Sequence, residues 1–243
     1  MTFLVFFFGH YFLSLFFQTF FMHRYGSHRM FTMSLGWERF FHLSSYLAQG
    51  ISYLNPRAYA LMHRMHHAYS DTPKDPHSPT QFRTVVSMML ATYRRFRDIG
   101  HRREAVDARF EGGYPEWPLL DKIGDHPVSM ACWALAYAAF YVAFAPSRWY
   151  WLLIPLHCLM GPIHGAIVNW CGHRYGYRNF DLRDQSRNTL LVDLVTMGEL
   201  FQNNHHRFVT RANFAVRWFE VDPCYPIIRA LSALGVIKLA QLN

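Results

Sequence analysis

Three long apolar blocks interrupt a chain that is otherwise polar and basic. They cover residues 3–22, 128–145 and 149–171, and none of them contains a Lys, Arg, Asp or Glu. An α-helix rises about 1.5 Å per residue, so about 20 residues cross the roughly 30 Å hydrocarbon core of a bilayer. The three blocks therefore predict transmembrane helices.

A fourth block, residues 37–54, is apolar but carries charged residues such as Glu38 and Arg39. This amphipathic pattern favours a helix that lies in the interface or re-enters the same face of the bilayer. Asn55 and Pro56 then end this helix and begin another, since proline fits the first turn of a helix but not its interior.

The segments outside these blocks are polar. Residues 70–79 form a proline-rich loop, a basic helix is predicted over Thr84 to Arg97, and a turn is predicted at the glycine pair 112–113. Further along, Leu190 to Leu200 is predicted to be helical, and Ile227 to Leu242 is predicted to form an amphipathic helix.

The distribution of basic residues predicts the orientation. Arg148 is the only basic residue between the last two blocks, whereas residues 55–127 and 173–217 are rich in Lys and Arg. The positive-inside rule places these two segments in the cytoplasm. Residues 1–243 are therefore predicted to form one domain. It is an all-α integral membrane bundle of about three full spans plus one interfacial or re-entrant helix, with a cytoplasmic helical cap.

Composition narrows the function classes. A formal net charge of +8 fits nucleic acid, an anionic membrane surface or an acidic partner. The apolar blocks favour the membrane, and no phosphate loop or nucleic-acid motif is present. The four cysteines have no CxxC spacing, so neither a disulfide framework nor a zinc ribbon is predicted. The first apolar block lacks a basic flank and a cleavage site, which indicates a retained span rather than a signal peptide.

The histidines are the candidate functional residues, because most of the 15 histidines are clustered in four segments next to apolar blocks. Several neutral imidazoles aimed at one point make a transition-metal site. The clustered histidines are His23, His28, His63, His66, His67, His173, His205 and His206. One ion seldom takes more than six ligands, so eight imidazoles predict two ions, and iron and zinc fit equally well. No catalytic residue beyond these ligands is predicted.

Spacing within the clusters gives local geometry. His63, His66 and His67, at i, i+3 and i+4, share one face of a helix. His23 and His28 are five residues apart, which an ideal α-helix would splay, so a local break at Gly26 is expected.

The four segments HRYGSH, HRMHH followed by AYSDTPKDPHSP, NWCGHRYGYR and GELFQNNHH resemble the histidine boxes of membrane fatty acid desaturases. The similarity is greatest to the stearoyl-CoA, Δ9 type, and it covers about residues 20–215 in the family's order and spacing.

This resemblance implies a di-iron centre that inserts a cis double bond, at Δ9, into a saturated acyl chain. O2 is then the oxidant, two electrons come from outside, and water is a product. The implied substrate is an acyl-CoA or an acyl-lipid, and the implied setting is membrane lipid, with the bacterial inner membrane as the expected location. Asn169, four residues before His173, would hold a metal through a bound water.

The chain departs from the family pattern in two ways. Gln202 stands where eukaryotic members have a histidine, so it is a weak ligand, a hydrogen-bonding neighbour of a ligand, or neither. His164 is a poor substitute, since it lies about 900° of helix turn and about 13 Å of rise before His173. The chain is also expected to start at what would be the family's second span and to lack a fused cytochrome b5 domain. A separate electron donor such as ferredoxin, rubredoxin or cytochrome b5 with its reductase is therefore expected.

The remaining histidines are predicted to be packed polar residues rather than ligands: His10, His42, His77, His101, His126 and His157. Four carboxylates are expected either to accept hydrogen bonds from ligand histidines or to be solvated loop charges: Asp71, Asp75, Asp193 and Glu199.

Two alternatives remain open. A membrane di-iron fatty acid or alkane hydroxylase would use the same ligands, which do not distinguish removal of a second hydrogen from hydroxyl transfer. A metal carrier would place ligands along the spans, whereas these boxes lie at the ends of spans.

Overall fold

The computed structural model describes residues 1–240, which are mostly helical. Within them, three helices are long and apolar enough to cross a membrane: Thr2–Ser27, Pro127–Phe144 and Arg148–Cys171. The predicted helical membrane bundle and its three spans are confirmed.

Nine α-helices follow one another along the described part of the chain. They are α1 (Thr2–Phe17), α2 (Leu35–Gln49), α3 (Pro56–Tyr69), α4 (Val85–Gly100), α5 (Pro118–Gly124), α6 (Pro127–Phe144), α7 (Ile154–Cys171), α8 (Gln202–Arg207) and α9 (Cys224–Ala233). A π-helix, Gln18–Ser27, continues α1, and a 3₁₀ turn, Arg148–Leu153, precedes α7. Shorter 3₁₀ turns cover Gly50–Ser52, Pro79–Gln81 and Ala108–Phe110. The strands β1 (Phe31–Met33) and β2 (Ile237–Leu239) pair antiparallel, with Phe31 opposite Leu239.

Local capping explains where α3, which carries three of the clustered histidines, and α4 begin. The side chain of Asn55 accepts a hydrogen bond from the backbone N–H of Ala58 at 3.1 Å, and Pro56 occupies the first turn of α3. Thr84 and Ser87 form a reciprocal capping box at the start of α4, which satisfies backbone donors that a helix end leaves free. Both starts agree with the sequence prediction.

α2 and α3 are joined by a short turn, and both pack into the bundle. α2 has 15 residues, too few for a full crossing, and it packs along α1. The turn after it is tight, because a Cβ on Gly50 would lie 1.8 Å from Tyr137 Oη on α6. The same turn contacts α7, where the backbone N–H of Gly161 donates to Ser52 Oγ at 3.4 Å. α3 then returns toward the π-helical end of α1.

Two predictions for the C-terminal part are wrong. Residues 190–200 form turns instead of a helix, because the Asp193 carboxylate accepts hydrogen bonds from the backbone N–H groups of Thr196, Gly198 and Leu200. These bonds compete with helical ones. The predicted amphipathic helix at Ile227 to Leu242 ends early, at Ala233, where Gly235 with φ +72° turns the chain into β2. Leu242 lies outside the described residues.

Candidate metal centre

The π-helix brings the first two histidines together without a break in the helix. Its backbone bonds close from residue i to residue i+5, as in the hydrogen bond from His28 N–H to the His23 carbonyl at 3.3 Å. Residues five apart therefore stack, and the His23 and His28 rings lie 5.1 Å apart. The expected break at Gly26 is thus replaced by a change of helical winding.

Five imidazoles from three elements form one group. They are His23 of the π-helix, His28 at its C-terminal cap, His63 and His67 of α3, and His205 of α8, and their ligand nitrogens all lie within 4.8 Å of one another. The Nε2–Nε2 distances run in a chain: 2.7 Å for His28–His63, 2.9 Å for His63–His67, 2.9 Å for His67–His205 and 3.0 Å for His205–His23.

Hydrogen bonds alone cannot account for this row of nitrogen–nitrogen contacts. A ring nitrogen offers either one hydrogen or one lone pair, so five nitrogens in a row can make at most two of the four contacts. Two nitrogens bound at about 2.1 Å to one ion and at right angles would be about 3.0 Å apart. The observed spacing therefore fits ligands that surround a single ion.

Three more imidazoles form a second group beside the first: His66, His173 and His206. Their Nε2 atoms are buried and have no hydrogen-bond partner within the described residues. The second group touches the first, with 4.5 Å between the ring centroids of His67 and His206. Two adjacent imidazole groups that could each hold a metal ion thus share α3 and α8.

Each imidazole of the second group is held by a carboxylate on its other nitrogen. His66 Nδ1 lies 2.9 Å from Asp75, His173 Nδ1 lies 2.9 Å from Asp71, and His206 Nδ1 lies 3.0 Å from Asp184. A carboxylate on Nδ1 fixes the tautomer and leaves the Nε2 lone pair for a metal. Asp184 was missed from the sequence, because no spacing links it to His206, which lies far along the chain.

In the first group, the Glu199 carboxylate holds His23 in the same way, at 2.5 Å from Nδ1. Fully buried Arg24 anchors the carboxylate from behind at 3.1 Å and also binds Asp222 at 2.8 Å. Burial opposes ionisation of Glu199, but the His23 and Arg24 interactions outweigh it and lower its pKa to about 2. The other expected orienting group, Asp193, instead binds the backbone of residues 196–200.

The protonation equilibria suit metal binding. Burial and the neighbouring imidazoles lower the pKa well below the usual histidine value in four members of the first group: His28, His63, His67 and His205. These rings are neutral at neutral pH, as metal ligands must be. His66 differs, because burial lowers its pKa but Asp75 more than compensates and raises it.

Three further side chains were singled out from the sequence as ligands or as neighbours of ligands. Asn169 is half-buried in the last turn of α7. Gln202 donates from Nε2 to the Glu199 carbonyl at 2.6 Å. It packs so tightly against Gly172 that a Cβ there would lie 2.4 Å from Gln202 Cγ. His164 is buried, outside both groups, and its two ring nitrogens have no partner in the described structure.

Most histidines predicted to be non-ligands have ordinary partners, but His77 does not. His42 Nε2 lies 2.8 Å from Tyr53 Oη, and His126 caps α6. His77 is buried without a hydrogen-bond partner for either ring nitrogen among the described residues. It could form a third group with His66 and Asp75, so its expected role as a satisfied packing residue is wrong.

The fold and site define a helical membrane protein with a polyhistidine centre able to bind metal. The chain matches the family described as fatty acid desaturase over residues 1–241. It therefore belongs to the fatty acid desaturase family, as the histidine boxes predicted, and is an oxidoreductase that acts on fatty acids.

Three relatives illustrate the similarity. The chain is 30% identical to Delta-9 desaturase-like 5 protein of Arabidopsis thaliana, over 92% of this chain and 72% of the relative. It is 29% identical to hex-5-enoyl-[acyl-carrier protein] acetylenase of Moorena producens, over 89% and 70%. It is also 29% identical to sn-1 stearoyl-lipid 9-desaturase of Synechocystis, over 90% and 65%.

Proposed function

We propose that the protein introduces a cis double bond at Δ9 of a saturated acyl chain, using O2 and two electrons from a separate donor protein. The observation that carries this proposal is the pair of adjacent imidazole groups, one of five rings and one of three, whose inward nitrogens lack sufficient protein partners. Family membership favours iron as the ion in both groups, and two relatives bear a Δ9 name.

In this proposal, the first ion is held by His23, His28, His63, His67 and His205. The second is held by His66, His173 and His206, with Asn169 reaching it through a water. Two iron ions bound there supply activation of O2 and removal of hydrogen from an unactivated methylene.

The protein's own residues orient and shield this chemistry. Asp71, Asp75, Asp184 and Glu199 fix the imidazoles and offset the charge of the ions. Gln202 is proposed as a packing residue that supports the Glu199 backbone rather than as a ligand. The group with three imidazoles has fewer protein ligands and therefore more positions for exchangeable partners.

The proposal also covers the location of the protein, its electron donor and its substrate. The basic loops of the cap support a position of the centre on the cytoplasmic side of the membrane, and the membrane is proposed to be a bacterial inner membrane. They also offer a docking surface for an acidic electron donor. The substrate is an acyl-CoA or a membrane acyl-lipid.

Expression of the protein in a desaturase-deficient host tests the function, with analysis of cellular fatty acids and of iron in the purified protein. We expect a new monounsaturated fatty acid and about two irons per chain. Unchanged lipids together with folded, iron-loaded protein would refute the proposal. A product that retains labelled oxygen would identify a hydroxylase instead. Metal uptake into vesicles without oxygen consumption would indicate a carrier.

A further inference from the structure

Residues 190–200, here called the apolar loop, expose four apolar side chains within five residues, in the segment between α7 and α8. The side chains of Leu191, Val192, Leu194 and Val195 are each about half exposed, between 48% and 59%. Such a surface needs a partner, because contiguous exposed apolar groups are unfavourable in water.

The apolar loop lies beside the membrane-spanning part of α1. The hydroxyl of Tyr11 donates to the backbone carbonyl of Val195 at 2.5 Å. Tyr11 precedes Met22, the inner end of the first apolar block, by about 11 residues, which is about 16 Å of helix rise. In a hydrocarbon core of about 30 Å this depth is close to the middle.

The loop surface also continues a surface that already faces lipid. On α1, Phe8 and Phe12 are about half exposed, and Phe12 adjoins Tyr11 in the chain. The apolar side chains of the loop therefore extend the lipid-facing side of a span, and do not form a separate patch on the polar cap.

Part of the loop backbone is bonded within the protein, which lowers the cost of contact with hydrocarbon. The Asp193 carboxylate is fully buried and binds the backbone N–H groups of three loop residues. Two more bonds join the loop to Val221: its N–H donates to the Leu191 carbonyl, and its carbonyl accepts from Asp193 N–H. An aqueous loop could leave these groups to water.

We propose that the apolar loop is inserted into the bilayer, where Leu191, Val192, Leu194 and Val195 contact lipid hydrocarbon. The loop then re-enters the membrane from the side that carries the histidine groups. Because Glu199 lies at its end and α8 follows directly, lipid contacts the segment that holds His205 and His206 in place.

Site-directed fluorescence in lipid vesicles tests this insertion. In a background in which Cys132, Cys158 and Cys171 are replaced by alanine, V195C is labelled with bimane and the protein is reconstituted. Quenching is measured with a nitroxide at the middle of the lipid chains, a nitroxide at the headgroup, and aqueous iodide.

Two labelled control sites bracket the result. F8C reports a lipid-facing position on α1, and D181C reports an aqueous one, since the Asp181 side chain is fully exposed. We expect V195C to follow F8C, with iodide quenching at least about tenfold weaker than at D181C, because hydrocarbon excludes anions. L191C provides a second loop position if V195C fails to fold.

Iodide quenching comparable to D181C would overturn the proposal, since the loop would then face water. Stronger quenching by the headgroup nitroxide than by the mid-chain nitroxide would overturn it as well. Protection from all three quenchers would also overturn it, because a protein partner or a second copy would then cover the loop.

Discussion

The histidines of this protein occupy two buried environments that differ in whether the ring nitrogens have partners. Between the spans, His10 Nδ1 and His157 Nδ1 lie 2.6 Å apart. Their other nitrogens pair with Tyr137 at 3.2 Å and Tyr141 at 2.8 Å. Each of these four nitrogens therefore has one partner, and the network is complete.

At the metal centre, by contrast, the inward nitrogens outnumber the hydrogen bonds available to them. The carboxylates lie on the outward nitrogens, as Asp75 does on His66. A buried histidine thus indicates a ligand only when its inward nitrogen has no hydrogen-bond partner. In these two environments, the difference distinguishes histidines that join helices from histidines available to an ion. An unpaired nitrogen alone is not sufficient, since buried His164 has no partner in the described structure and lies outside both groups.

The largest expected effect follows from replacing His63 by alanine. His63 Nε2 is close to the Nε2 atoms of both His28 and His67, so its loss should empty the first group. We expect product formation to fall by more than about 100-fold, beyond the range typical of outer-shell groups. Iron analysis and fatty-acid profiling measure the result.

The matched control for H63A is H157Q, which changes a buried histidine of the span network. This variant should keep both irons and most of its activity. Full iron occupancy in H63A, or iron loss in H157Q, would contradict the contrast between the two environments.

A smaller effect is expected when a carboxylate behind a ligand is neutralised. D75N keeps an acceptor for His66 Nδ1 but removes the charge, so the iron affinity of the second group should fall by about 10–100-fold. Competition with a chelator measures it. D181N, on an exposed side chain, should leave the affinity unchanged, and an equal loss in both variants would refute this role.

Acidification should release metal from the second group first and from the first group at lower pH. The raised pKa of His66 means that protons compete with metal at higher pH in the second group. Burial and nearby imidazoles lower the pKa values of His28 and His63, so protons displace metal from the first group only at lower pH. Below the pKa of His66, the apparent affinity of the second group should fall about tenfold per pH unit.

Iron retained after equilibration at graded pH reports this order. We expect two steps, and H206A, which lacks a complete second group, should show only the step at lower pH. Simultaneous loss of both irons from the unmodified protein would show that the two groups do not differ in this way.

The smallest effect is expected for Gln202. Q202A removes a hydrogen bond to the Glu199 carbonyl, and the free energy of unfolding should fall by about 1 kcal/mol. Iron content should remain at its original value, since the amide is proposed to support the backbone. Chemical unfolding and iron analysis test this, and a loss of one iron would show that Gln202 binds metal.

The sequence singled out the eight histidines that the structure brings together, but it did not predict their arrangement. Eight histidines could be found from their clustering, and the start of α3 from Asn55 and Pro56. The separation of neighbouring rings into different groups also has a local basis, because adjacent helical residues point about 100° apart, as His205 and His206 do. This consequence of helix geometry was available before the structure.

Other features depend on contacts between distant segments, which spacing does not encode. Asp184 holds His206 only because the chain folds back. Asp193 turns a segment of helical composition into a loop by accepting three backbone hydrogen bonds. The partner of a buried carboxylate must be known before its local effect can be predicted.

The π-helix at the end of α1 makes the centre sensitive to the length of the chain as well as to its composition. Deleting a single residue between Gln18 and Met22 would let the segment relax to ordinary winding and rotate His28 by about 100° relative to the body of the span. Every ligand type would still be present, yet one would face away. Grafting this centre onto another membrane helix therefore requires transplanting the widened turn together with the histidines.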